Sequence, residues 1–144
     1  MALKLSTGLR NKLLDTGSLK SIFAGGKIRI LSGSAPADAD AAETGTLIVE
    51  ISNGGAGINF DTAAAAGVLQ KAPAETWSGT NVATLTATYY RHVAAGDTFA
   101  LSTTQPRIQG TVGTVGADMN LSSVALVTAA TQAVDFYSVT LPAA

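Results

Sequence analysis

The chain has 144 residues, no cysteine, one histidine, 13% charged residues and a formal net charge of −1. That length suits one domain with a single core built without crosslinks. The composition excludes disulfides, thiol catalysis and thiolate metal sites, and no apolar run approaches the ~18 residues of a membrane-crossing helix.

Residues 1–26 read as an N-terminal helical arm. Leu5, Leu9 and Leu13 recur at helical spacing, with Lys4, Arg10 and Lys12 off that stripe, and Ser6 or Thr7 is placed to cap the helix. The stretch has no continuous apolar segment of the kind a secretory leader carries, so none is expected. "DTG" at 15–17 breaks the pattern, Ser18 can cap a second short helix over 19–24, and Gly25-Gly26 ends it.

From Lys27 the period changes to two, and residues 27–144 read as a β domain. "KIRIL" alternates Ile28 and Ile30 with Lys27 and Arg29, and "TLIVEIS" puts Leu47, Val49 and Ile51 on one face. Between them lies a turn-rich loop, "SGSAPADADAAETG". "VLQKA" and "ETWSG" follow, separated by Pro73. "NVATLTATYYRHV" (81–93) is the longest strand expectation, with alternate threonines on one face. "FALST" is expected to point Phe99 and Leu101 inward, and "PRIQGTVGT", "SSVALVTA" and "VDFYSVTLP" complete the series. The pattern predicts a mainly β protein, an antiparallel β-sandwich or jelly roll of about eight strands with a short helical front.

Net charge conceals an asymmetry. Residues 1–29 hold six basic side chains against Asp15, and residues 30–75 hold six acidic ones against Lys71. A basic head beside an acidic neck reads as a solvated face, as protein–protein docking, or as a nucleic-acid contact. The sequence pI of 5.6 argues against a dedicated nucleic-acid binder.

Reactive constellations are sparse. His92 is alone, and Asp97 lies across an expected turn, so neither a metal pair nor a base with an orienting acid is evident. Asp38, Asp40 and Glu43 have the two-residue rhythm of a calcium loop. Glu43 nevertheless stands where such a loop needs glycine, and Val49 where it needs a bidentate glutamate. The glycine clusters "GGAG" and "GTVGTVG" lack the spacing of phosphate-binding loops. No catalytic residue, metal or cofactor is assigned, and the chain is expected not to be an enzyme.

Three stretches, "STGLRN", "IRILSGSAPADADAAETGTL" and "GADMNLSS", carry a resemblance to the capsid cement, or decoration, proteins of tailed bacteriophages. The resemblance implies a jelly-roll or similar β body made in the bacterial host cytoplasm and carried on the capsid exterior of the virion. Its partner would be the major capsid protein, whose subunits it bridges, with no membrane and no direct nucleic-acid contact. On that expectation Lys4, Leu5, Leu9, Arg10, Lys12 and Leu13 are the first capsid-contact candidates, followed by Asp38, Asp40 and Glu43. A homo-oligomer is expected, a dimer ahead of a trimer, with Trp77, Tyr89 and Tyr90 as interface anchors. The alternative is a receptor- or carbohydrate-binding module of a tail or spike, with a cleft lined by Trp77 and tyrosines.

Overall fold

The computed structural model describes residues 3–141, so the last three residues of the expected β domain lie outside the described residues. The chain opens with a two-residue strand, β1 (Lys4–Leu5), then two helices, α1 (Thr7–Asp15) and α2 (Leu19–Ile22). Strands β2 (Lys27–Ser32), β3 (Thr46–Asn53), β4 (Val68–Gln70), β5 (Trp77–Thr80) and β6 (Leu85–Thr86) follow. The second half supplies β7 (Tyr89–Val93), β8 (Arg107–Gly113), β9 (Met119–Asn120), β10 (Ala125–Leu126), β11 (Thr131–Ala133) and β12 (Ser138–Thr140). The protein is therefore mainly β with antiparallel sheets and a short helical front.

The principal sheet has eight strands in the order β1-β8-β7-β2-β3-β5-β11, with β9 added parallel to β8; β6–β10 and β4–β12 form two small ribbons. Its pairing is written in the alternation of the strands. On one face, Ile108, His92, Ile28 and Ile51 form a cross-strand row, and Gly110, Tyr90, Ile30 and Val49 form the next. These rows, with Phe60, Trp77, Tyr137 and Val139, make the core. The other face carries the polar row Gln109, Arg91, Arg29 and Glu50. All five residues of β7 are buried, because the core covers one face and the 33–45 loop covers the other.

That loop is held by backbone-directed side chains. The Arg91 guanidinium donates to the carbonyls of Ala41 (2.7 Å) and Asp38 (3.2 Å), and the Gln109 amide donates to Pro36 (2.8 Å). The Tyr89 hydroxyl accepts from the Thr44 N–H at 3.2 Å and donates to the Thr44 carbonyl. Arg107 adds bonds to the Ala39, Asp40 and Ala41 carbonyls and a buried ion pair with Asp97 at 2.8 Å. A buried guanidinium is tolerable only when its donors are satisfied, and these loops satisfy them.

Three sequence expectations change. Leu5 belongs to β1, paired with Ile108 of β8, because Ser6 caps α1 immediately after it. The 81–93 strand is split: Ala87 donates to Val124 and Thr88 to Leu31, which redirects the chain between β6 and β7. "FALST" is a loop with Leu101 exposed and Phe99 at a φ of +66°, since Asp97 accepts from the Phe99 N–H while gripping Arg107. The Phe99 ring lies 3.8 Å from the Arg29 guanidinium carbon.

Candidate docking surface

The basic head and acidic neck meet within one chain. Lys4 Nζ donates to the Ala37 carbonyl at 2.9 Å. The Asp40 carboxylate accepts from the Thr7 N–H at 2.7 Å and from the Thr7 hydroxyl at 2.6 Å, beside the first turn of α1. Arg10 reaches the same Thr7 hydroxyl at 2.9 Å. Burial pushes the Asp40 carboxyl upward, but the Thr7 hydrogen bonds and the charges of Arg10 and Arg107 outweigh it and hold the group below its ordinary value.

The remaining acids are occupied in the same way. Glu43 accepts from Arg29 at 2.9 and 3.0 Å, while Glu50 takes Arg29 at 2.5 Å and Lys27 at 3.0 Å. Asp38, itself exposed, folds its own loop by accepting from the N–H groups of Asp40 and Ala41. Asp38 and Asp40 thus spend carboxylate oxygens on protein donors. Among the described residues no group of three or more His, Asp or Glu side chains is placed to hold a metal ion.

What the internal pairing leaves outside is the outer half of α1, exposed around most of its circumference from Arg10 to Asp15. Leu9 is fully buried and locks the inner face into the core, whereas Arg10, Asn11 and Lys12 are exposed, Leu13 is 36% exposed and Leu14 is 87% exposed. Ser6 fixes the helix start: its hydroxyl accepts from Leu9 N–H at 3.1 Å and from Arg107 N–H at 2.9 Å, and donates to Gln105 O at 2.9 Å. The result is an anchored helix start from which Arg10 and Lys12 project on different sides, with Leu13 and Leu14 exposed beside them. Of the first contact candidates, Arg10, Lys12 and Leu13 are exposed on α1, Lys4 is exposed on β1 with its ammonium on the Ala37 carbonyl, Leu5 is half-buried, and Leu9 is inside. Leu14 was missed because it falls off the four-residue stripe.

Trp77, Tyr89 and Tyr90, expected as interface anchors, are each 1% exposed. Trp77 packs on Tyr137 at 5.7 Å and donates its indole N–H to Glu75 at 2.7 Å, and Tyr90 meets Tyr137 edge-on at 5.9 Å. Tyr89 is pinned under the 33–45 loop. A partner touches these rings only if the fold opens, so they line no surface cleft. The exposed aromatic is Phe136, at 81%. Its signal was a broken alternation: with Val139 and Tyr137 inward, a period of two would bury Asp135, which a free carboxylate resists.

His92 lies in the core with the Tyr137 hydroxyl 3.2 Å from Nδ1. Burial lowers its pKa to about 3, so it is neutral at physiological pH. Asp97, the nearest acid in sequence, is held by Arg107 instead.

No helix among the described residues is long and apolar enough to cross a membrane. The chain matches no family model, no curated protein and no solved structure.

Proposed function

We propose that this protein is a structural virion component, a cement protein that binds the outer surface of a phage capsid and bridges major capsid protein subunits. The observation that carries the reading is the exposed outer half of α1, where Arg10, Lys12, Leu13 and Leu14 project from a start anchored by Ser6 and the buried Leu9. Two of the stretches that resemble the decoration proteins meet at this point. "STGLRN" supplies the cap and first turns of α1, and "IRILSGSAPADADAAETGTL" supplies Asp40, which grips Thr7. A cationic and apolar face suits an acidic partner surface with a small apolar notch.

A body of sandwich or jelly-roll type needs no reaction to perform this role. Each contact can be modest, because repetition over a shell multiplies simultaneous engagement, and a subunit that binds only the assembled lattice stabilises it by linkage. Self-association, a dimer ahead of a trimer, would let one particle reach two capsid subunits. The protein would then reside on the virion exterior after synthesis in the bacterial cytoplasm.

The test is sedimentation with capsid shells assembled without it. The wild-type chain is expected to pellet with the shells and raise their melting temperature. Reversing the exposed charges (R10E/K12E) should weaken pelleting by about tenfold or more, with the fold intact. A wild-type chain that stays in the supernatant overturns the reading.

A further inference from the structure

We infer a saccharide-binding site, separate from α1, centred on Phe136 and shaped for two consecutive neutral pyranose rings. Two open hollows of about 260 Å³ and about 190 Å³ share Phe136 and Tyr137 as their common wall. Each is smaller than the ~300 Å³ at which small-molecule sites usually begin, so one ligand would span both across the Phe136 ring.

Phe136 is held out by its neighbours. Val134 and Tyr137 are both buried; Val134 donates its N–H to the Trp77 carbonyl at 2.9 Å, and the Tyr137 carbonyl accepts from Lys71 N–H at 2.8 Å. With both ends of the tetrapeptide fixed, Asp135 and Phe136 have only solvent to face. A large aromatic presented on a fixed backbone is pre-organised for a ligand, since little freedom is lost on binding.

The surroundings select the ligand chemistry. Gln70 and Asp135 flank the ring in the larger hollow, and Asn120 and Ser138 flank it in the smaller one. Asn120 spends its carbonyl oxygen on Ala117 N–H at 3.0 Å, which leaves its amide N–H donors for a ligand. Each side therefore offers both donors and acceptors around an apolar plate, the complement of a sugar ring with a C–H face and a hydroxyl rim. Asp135 on one side and Asp118 on the other would repel phosphate or carboxylate groups, and Lys71, which also lines the larger hollow, spends its ammonium on the Ala72 and Glu75 carbonyls, which points to neutral sugars.

The test is a printed array of neutral and acidic oligosaccharides, from one to four rings, probed with the full chain clustered on streptavidin. Retention of neutral glycans of two or more rings is expected. F136A, at a side chain the fold does not enclose, should keep the wild-type circular dichroism and lose about tenfold or more of the signal. N120A and Q70A should each lose less, and R10E/K12E none, which separates this site from the capsid-facing helix. The inference is overturned if no neutral glycan is retained, or if F136A binds as wild type. It is equally overturned if F136A alters only the sedimenting mass, which would make the ring an interface between copies.

Discussion

Four aromatic rings enclose the His92 imidazole, with centroids at 4.5 Å (Phe23), 5.4 Å (Phe60 and Tyr137) and 6.4 Å (Trp77), and among the described residues Nε2 has no hydrogen-bond partner. A proton there would place a charge among hydrocarbon faces, which is why the pKa falls from 6.5 to about 3. In the unfolded chain the imidazole takes up its proton near 6.5, so the unfolded state binds more protons and stability drops as pH falls below that value. The loss continues to about 3, at roughly 1.4 kcal/mol per pH unit, and totals on the order of 4–5 kcal/mol. Asp40, Glu50 and Glu75 are held below their ordinary values of 3.8, 4.5 and 4.5 by hydrogen bonds and neighbouring cations that outweigh burial, and their contributions are lost as pH falls through and below those values. Between pH 6.5 and 5 the slope therefore belongs to His92. Urea unfolding across that window should show stability falling with about one proton of linkage in the wild type and nearly flat in H92L. Equal slopes in both proteins would refute this account. The sequence offered a lone histidine at a strand end. Its enclosure depends on Phe23, Phe60 and Tyr137 arriving from distant segments, and no local pattern encodes that.

At the scale of the element, α1 shows a conflict between propensity and packing. Glycine inside a helix costs about 1 kcal/mol relative to alanine, yet Gly8 lies in the first turn of a nine-residue helix. A Cβ at that position would meet the Thr104 carbonyl carbon at 2.3 Å, its oxygen at 2.4 Å and the Gln105 nitrogen at 2.8 Å. All three are backbone atoms, so no side chain can swing aside. G8A should therefore destabilise by roughly 1–3 kcal/mol against its helix propensity, read as a fall of several degrees in Tm. A higher Tm would show that the 104–105 backbone yields freely. Capping at Ser6 and Ser18 was legible because it is local chemistry: each hydroxyl accepts from an N–H three residues on. The exact length of α1 was not, since the Leu5-Leu9-Leu13 spacing fits one helix, and only pairing with β8 claims Leu5 for a strand. The 81–93 threonine alternation misled for a similar reason. A period of two marks extended chain, but which strand it pairs with is decided elsewhere, here by Val124 and Leu31.

For the whole molecule, the charge asymmetry that resembled a signal for other molecules is largely spent inside the fold, through Thr7–Asp40, Arg29–Glu43 and the Lys27–Arg29–Glu50 group. The mainly antiparallel architecture was legible, because alternation and turn residues agree over most of the chain. The relation of the first 26 residues to the rest was not, since an amphipathic stripe looks the same on an appendage as on a wall of the core. In the structure Leu9 and Phe23 are fully buried, Leu5, Leu19 and Ile22 pack against the same cluster, and β1 covers the edge of β8. Deleting residues 1–26 would open that cluster, bare the β8 edge and strip Asp40 of its Thr7 partner at once. Losses of this kind exceed the margin by which domains of this size are folded. The truncated chain is expected to retain strand content by circular dichroism, to bind a hydrophobic dye and to lose its cooperative thermal transition. A truncated chain that still melts cooperatively within a few degrees of the full protein would instead make the segment a detachable arm, the alternative left open by the change of period at Lys27. The outcome bears on the proposed function, because a wall of the core would present α1 to a capsid lattice at a fixed angle and without an ordering cost, whereas an arm would lose conformational entropy at each docking.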